Sequence, residues 1–333
     1  MASHSSDFGH NEHELMIECQ VVRCLGCTLS KGGHQSNIRQ MGAGMEIRDL
    51  LGYEGKTVVV TGAASGMAHC AAELLLSLGA KVWAVDMNDC DLPVEATVKG
   101  NLAEKEAIDA VCAQLPERID ALFMCHGVGL RPGREAFIQM VNFVGQRYMA
   151  EKLVARIPDN GSLTFISSTG GYAWSYNMDM VNKMLETATF EEAAAVAEEL
   201  APTFSDGSDS ENALDPYQFS KQCLSAYVKK MCREEPYIGR KVRINAIGPS
   251  FTATPLIADF EAATSKDGSL ESGRNAMYEL FLKSWNGRAG RPEEMGWPLV
   301  LIGSDVFSYL SGQVIYIDFG MTGEMDWRAA NAG

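Results

Sequence analysis

Apolar and polar positions follow two regimes that meet near residue 55. Upstream, neither a period of 2 nor one of 3.6 is sustained. From Lys56 onward, short apolar runs alternate with longer amphipathic ones. Thr57-Val58-Val59-Val60 is a continuous β-branched run, the pattern of a parallel strand buried on both faces. Comparable runs at 81–85, 96–99, 120–125, 162–167, 242–247 and 314–318 predict six further strands, most of them separated by helical stretches. This alternation predicts an α/β, Rossmann-type doubly wound parallel sheet of about seven strands with helices on both faces. No second domain is indicated. The expected organisation is a loosely ordered extension over 1–54 and one domain over 55–333, with Met45 or a nearby Met a candidate start of folded sequence.

One segment interrupts the alternation. Residues 175–215 contain an Ala- and Glu-rich helix former at 190–200 and a polar loop at 205–212. Ten Asp or Glu against one Lys give this insert −9 of the net charge of −15, which reads first as a solvated face and second as a binding face. So acidic a chain lacks the clustered Lys and Arg needed for nucleic acid or an anionic membrane surface. No apolar run approaches the ~18 residues of a membrane span. The N-terminus carries His4, His10, Glu12 and Glu14 where a signal peptide would be basic and then apolar. Nine cysteines, several inside predicted strands and helices, point to reduced thiols and a cytoplasmic protein. Cys24 and Cys27, with Cys19 and His34 nearby, make half a zinc site, but structural zinc usually takes two such pairs. No metal is expected.

Two stretches carry chemistry. The first is the turn Thr61-Gly62-Ala63-Ala64-Ser65-Gly66-Met67-Ala68, between the first strand and a helix that ends at Gly79. Strand, glycine turn and helix form a phosphate cradle, because the glycines admit the pyrophosphate and the helix N-terminus offers free N–H groups. Asp86 ends the second strand, 24 residues after Gly62, where an acid binds the ribose hydroxyls and repels a 2′-phosphate. No Arg or Lys stands in the turn or just after Asp86, so NAD is expected rather than NADP. The plainer reading of Asp86 is a turn or cap carboxylate. The second stretch is Tyr217-Gln218-Phe219-Ser220-Lys221 after Asp215-Pro216. Pro216 suits the first turn of a helix, and Tyr217 and Lys221 then share one face. An ammonium beside a phenol makes a usable acid/base; lowering a phenol by ~3 units from ~10 takes about 4 kcal/mol. The spacing alone equally describes an ordinary helix face.

With Thr61-Gly-x-x-x-Gly-x-Ala, Asp86, Asn142, Ser168 and Tyr217-x-x-x-Lys221 in this order, residues 55–322 resemble the short-chain dehydrogenase/reductase superfamily. The insert before Tyr217, Asn101-Leu102, Cys125-His126-Gly127-Val128-Gly129 and Thr252-Ala253-Thr254-Pro255-Leu256 are similar to its bacterial 3-alpha-hydroxysteroid dehydrogenase/carbonyl reductase branch. The resemblance implies that Ser168 polarises the substrate oxygen and Tyr217 exchanges its proton. Lys221 lowers the tyrosine pKa and holds the nicotinamide ribose, and Asn142 kinks its helix and carries a water-linked relay. It further implies that Ser65, Gly66 and Met67 hold the pyrophosphate with Gly62, Asn101 and Leu102 meet the adenine, Gly127 lies along the dinucleotide, and Thr252 and Thr254 hold the carboxamide.

Departures from the pattern carry their own weight. Ala68 replaces the third glycine, Asn101 the usual Asp, and Pro249-Ser250 the usual Pro-Gly. His126 stands where the family has Ala, and two roles fit it: a place in the proton relay, or packing. Residues 251–285 should form a mobile lid. Its Leu256, Ile257, Phe260, Met277, Phe281 and Trp285, with Tyr172, Trp174 and Tyr176 after Ser168, suggest a small hydrophobic substrate. The expected activity is NAD-dependent interconversion of a cyclic, terpenoid, aryl or steroid secondary alcohol and its ketone. The competing class is a non-catalytic dinucleotide-sensing or scaffold protein on the same fold. A homodimer or homotetramer is expected, with 293–318 the preferred dimer face because the insert enters just ahead of the Tyr217 helix.

Overall fold

A computed structural model describes residues 46–204, 214–285 and 287–331. The chain enters through α1 (Ile47–Leu51), and Tyr53 just behind it is 1% exposed. The compact unit begins at Ile47, ahead of residue 55 and beside Met45 in sequence, the candidate start of folded sequence, because Leu51 and Tyr53 supply apolar side chains to the core. β1 (Thr57–Thr61) is buried along all but its first residue. It is followed by α2 (Gly66–Ser77), β2 (Lys81–Asp86), β3 (Ala96–Lys99), α3 (Lys105–Gln114) and β4 (Ala121–Met124). The next helix, α4, runs through Glu135–Gln139, a π-helical turn at Met140–Val144, and Gly145–Leu153. β5 (Ser162–Ile166) leads into the insert helices α5 (Met178–Leu185) and α6 (Phe190–Leu200), then α7 (Pro216–Met231). β6 (Arg243–Pro249), α8 (Ile257–Thr264), α9 (Leu270–Met277), α10 (Glu293–Gly303), β7 (Val314–Ile317) and α11 (Met321–Ala330) complete the chain.

All seven strands are parallel, in the order β3-β2-β1-β4-β5-β6-β7. Alternation along β1 sorts its side chains: Val59 joins the layer with Phe143, Phe165, Phe219 and Tyr227, while Val58 and Val60 join that with Ala71, Leu75 and Leu299. Every predicted strand is present, with ends shifted by one or two residues.

The acidic insert is amphipathic rather than merely solvated. Val181, Met184, Leu185, Ala193, Ala197 and Leu200 sink into the core beside α4 and α7, while Glu191, Glu192, Glu198 and Glu199 stay outside. A reciprocal cap starts α6: Thr189 Oγ1 accepts from Glu192 N at 3.1 Å, and Glu192 Oε2 accepts from Ala188 N at 2.7 Å. Among the described residues no helix is long and apolar enough to cross a membrane.

The far end of α10 buries its last carbonyls, which must then be paired from outside the helix. Arg243 Nη1 donates to Ile302 O at 2.8 Å, and its Nη2 donates to Gly303 O and Ser304 O at 2.9 and 3.0 Å. Tyr53 and Ser162 hydroxyls donate to Val300 O and Gly303 O. Replacing Arg243 by Leu strands the buried carbonyls of Ile302 and Ser304 and leaves Gly303 O with Ser162 alone. We expect Arg243→Leu to lower unfolding free energy by about 3 kcal/mol in urea titrations; a loss under about 1 kcal/mol would show that other groups cap the helix.

Candidate active site

The carboxyl end of the sheet opens where the strand order turns, between β1 and β4. Thr61 stitches this point: its Oγ1 accepts from Cys125 N at 2.9 Å and His126 N at 3.2 Å. Gly62 and Gly66 follow at φ +72 and +62, a backbone that only glycine adopts freely. A Cβ on Gly62 would stand 3.0 Å from His126 Cα, and one on Gly66 3.2 Å from Thr254 Cγ2. The N-terminus of α2 has no side-chain cap from Ser65 and no acid in its first turn. Its leading N–H groups and positive dipole suit a pyrophosphate.

Asp86 is held facing this cradle, its Oδ2 accepting from Ala64 N at 3.1 Å and its Oδ1 from Asn88 N at 2.9 Å. Oδ1 also accepts from Asn88 Nδ2 at 3.4 Å, so Oδ2 is the oxygen that keeps a lone pair for a ribose hydroxyl. Asn101 differs from expectation: Oδ1 accepts from Ala103 N and Nδ2 donates to Glu104 Oε1, so the side chain closes its own turn. Leu102 is buried, and its carbonyl lies so close to α4 that a Cβ on Gly145 would overlap it. Gly145 went unnoticed in the sequence, although a glycine inside a helical pattern signals close approach. These residues fit a dinucleotide.

The acid/base end is built on α7. Asp215 caps it, Oδ1 accepting from Gln218 N at 2.8 Å, and Pro216 occupies the first turn as expected. Tyr217 is half-buried and Lys221 only 4% exposed, with Nζ donating to Ile166 O at 2.9 Å and lying 5.7 Å from the phenol ring centroid. Ser168, two residues beyond β5, accepts from Gly170 N and lies near enough to the Tyr217 phenol to draw its pKa down. Burial pushes Tyr217 up to about 12 against the pull of Ser168, and pushes Lys221 down to about 8. In the free chain burial thus outweighs the lowering of the phenol that was expected from Lys221.

Asn142 lies in the π turn of α4, the irregularity expected of it. Its Oδ1 accepts from Val128 N at 2.8 Å, and its Nδ2 donates to Val128 O and Ser220 Oγ at 3.0 and 3.2 Å. Gly127 is pressed between: a Cβ there would stand 3.1 Å from Asn142 Oδ1 and 3.7 Å from Lys221 Nζ. Thr252 Oγ1 donates to Ser250 O, and Thr254 borders the cradle at Gly66.

His126 has one tautomer open to it. Thr61 Oγ1 already accepts two N–H groups, so its own proton goes to His126 Nδ1, 2.7 Å away. The ring is therefore neutral with hydrogen on Nε2, which has no partner among the described residues. Burial first, and then the Lys221 charge, push its pKa down to about 3.

The aromatic side chains expected around one cleft divide among several places. Phe260 sets its ring perpendicular to Tyr217, centroids 4.8 Å apart. Phe281 stacks on Phe251, and both line a separate cavity of about 160 Å³ with Trp285, Met295 and Phe319, away from Ser168 and Tyr217. Tyr172 donates to Asp326 on α11, Trp174 lies under Lys229, and Tyr176 is exposed. These corrections share one cause: residues adjacent in sequence leave a turn in different directions. Among the described residues no group of three or more His, Cys, Asp or Glu side chains is placed to hold a metal. The Cys19, Cys24, Cys27 and His34 group lies outside them.

Comparison with known proteins adds ancestry to this geometry. Residues 58–258 match the family described as NAD dependent epimerase/dehydratase, and residues 200–322 match that described as enoyl-(acyl carrier protein) reductase. Coniferyl-alcohol dehydrogenase of a Pseudomonas strain is 32% identical over 209 residues, 62% of this chain and 76% of that one. The 3-alpha-hydroxysteroid dehydrogenase/carbonyl reductase of Comamonas testosteroni is 24% identical over 80% of this chain and 97% of its own. Among solved structures, the 3-alpha-hydroxysteroid dehydrogenase of Pseudomonas sp. B-0831, complexed with NADH, superposes with a TM-score of 0.64 at 22% identity. It covers 81% of this chain and 98% of that one.

The buried imidazole makes stability depend on pH with a definite sign. His126 takes up a proton near 6.5 when unfolded but only near 3 when folded, so its contribution is complete above pH 6.5 and is lost as pH falls toward 3. Between pH 7 and pH 5 the wild type should lose about 2 kcal/mol more than His126→Gln in urea titrations. Equal losses would place the ring in water.

Proposed function

The chain belongs to the short-chain dehydrogenase/reductase superfamily, and from that premise we propose that it is an NAD-dependent dehydrogenase of hydrophobic alcohols. The substrates in view are cyclic, terpenoid, aryl or steroid secondary alcohols, interconverted with their ketones. The observation that carries this reading is the meeting of the Ser168 hydroxyl, the Tyr217 phenol and Lys221 beside an uncapped helix N-terminus. A relative named for hydroxysteroid and carbonyl substrates supports the secondary-alcohol class, and one named for coniferyl alcohol, a primary alcohol, supports only its hydrophobic aryl character. NAD rather than NADP is supported by the turn 86–91, where Asp86, Asp89 and Asp91 would face a 2′-phosphate; Asp89 and Asp91 already engage Lys99 and His69.

When bound, NAD supplies the hydride acceptor. Tyr217 Oη takes the hydroxyl proton of the substrate as hydride leaves the carbinol carbon, and returns it in the reverse direction. Ser168 Oγ hydrogen-bonds the same oxygen and holds it at the phenol. Lys221 favours the phenolate by its charge. Asn142, locked to Val128 and Ser220, keeps the helix irregularity beside Lys221 in place. The free thiols Cys70, Cys90, Cys112, Cys125, Cys223 and Cys232 accord with a reducing cytoplasm.

Assembly belongs to the same reading: a homodimer through α10 and β7. The insert helices α5 and α6 occupy the flank of α4 and α7, whereas Trp297 and Leu301 stand one turn apart on α10, 52% and 39% exposed. β7 is the outermost strand of the sheet. Light scattering should report a dimer that Trp297→Lys turns into a monomer; a tetramer that uses the Tyr217 helix, or a dimer indifferent to Trp297, would exclude this face. For the chemistry, Tyr217→Phe should lower kcat at least ~1000-fold on an aryl secondary alcohol such as 1-phenylethanol, a terpenoid secondary alcohol or a 3-hydroxysteroid while NADH binding, by fluorescence, stays within about threefold. A panel on which only polar polyols reduce NAD would overturn the substrate class.

A further inference from the structure

The lid is tied to the opposite rim of the cleft by one carboxylate. Asp259 Oδ2, on α8, accepts from Gly129 N at 3.1 Å and from Arg131 Nε at 2.9 Å. The two sides meet closely: a Cβ on Gly129 would stand 2.6 Å from Asp259 Cβ and 3.3 Å from Leu256 O. The next lid residue is Phe260, whose ring stands edge-on to Tyr217 at 4.8 Å. Successive helical residues diverge by about 100°, so Asp259 faces the rim while Phe260 faces the phenol. α8 and α9 form one hairpin, since Glu261 is buried, meets Arg274 Nε at 3.3 Å, and has its backbone pressed against Gly273. One tie near Phe260 therefore sets the whole hairpin.

We infer that Asp259 is a positioning residue for substrate selection. Through Gly129 and Arg131 it holds Phe260 as the aromatic wall beside Tyr217, and that wall selects flat aryl alcohols over compact aliphatic ones. An edge-on ring attracts another ring beyond the area it covers, which a compact aliphatic alcohol does not exploit. The selection rests on the reading of the site as an alcohol dehydrogenase; the tie does not. The Arg131 contact is half open to solvent and weakens in salt, whereas the Gly129 N–H bond needs only an acceptor at position 259.

Two measurements test this on the full chain. The first is the ratio of kcat/KM for the aryl secondary alcohol 1-phenylethanol to that for cyclohexanol, with NAD. Phe260→Ala should lower the ratio about tenfold through the KM for the aryl alcohol, with NADH binding within twofold. Asp259→Ala should lower it equally, the double variant no further, and Asp259→Asn, which keeps an acceptor for Gly129, should restore most of it. The second is trypsin cleavage at Lys266 and Arg274, followed by mass spectrometry. Asp259→Ala should speed it about tenfold and Asp259→Asn much less. Losses that multiply in the double variant, or an unchanged ratio, overturn the selection; unchanged cleavage overturns the tie. If the wild type turns over no alcohol, the reading of the reaction falls and takes the selection with it, while cleavage alone still decides the tie.

Discussion

The crevice between β1 and β4 is closed at its floor by the Thr61 hydroxyl, which accepts from the N–H groups of Cys125 and His126 and donates to the His126 ring. A parallel sheet wound in both directions leaves a gap where the strand order turns, and the loops there have no ladder partners of their own. Thr61 supplies one. With the exit of β4 fixed, Gly127 falls between Asn142 and Lys221, and Val128 presents both backbone groups to the Asn142 amide. The cradle and the acid/base face are thereby built on the same few residues.

Burial sets the tone of this face. It pushes the Tyr217 phenol up and the Lys221 ammonium and His126 imidazole down, each toward its neutral form.

Periphery and centre obey different rules. The insert carries most of the net charge, yet its position is set by an apolar stripe that shields α4 and α7. The lid is held by polar contacts at its tip, Asp259 above all, and by one ring on Tyr217. A segment tied by apolar burial stays with the core, whereas one tied by a carboxylate paired to a solvent-exposed Arg131 is open to screening and substitution.

Strand positions, the cradle, Asp86 and the Tyr217–Lys221 pair were legible in the chain itself. Each depends on a local rule: β-branched runs for buried parallel strands, glycine at positive φ, a proline opening a helix. The helices α5, α8, α9 and α11, and the dispersal of Tyr172, Trp174, Phe281 and Trp285 were not. Neither were the closed turn of Asn101, the fit of Gly145 under Leu102, and the tie from Asp259 to Gly129 and Arg131. The physical reason is the range of the interaction. Backbone preference and hydrophobic period act over a few residues and are written in order along the chain. Burial, close approach and pairing across 130 positions exist only once the sheet has brought the segments together.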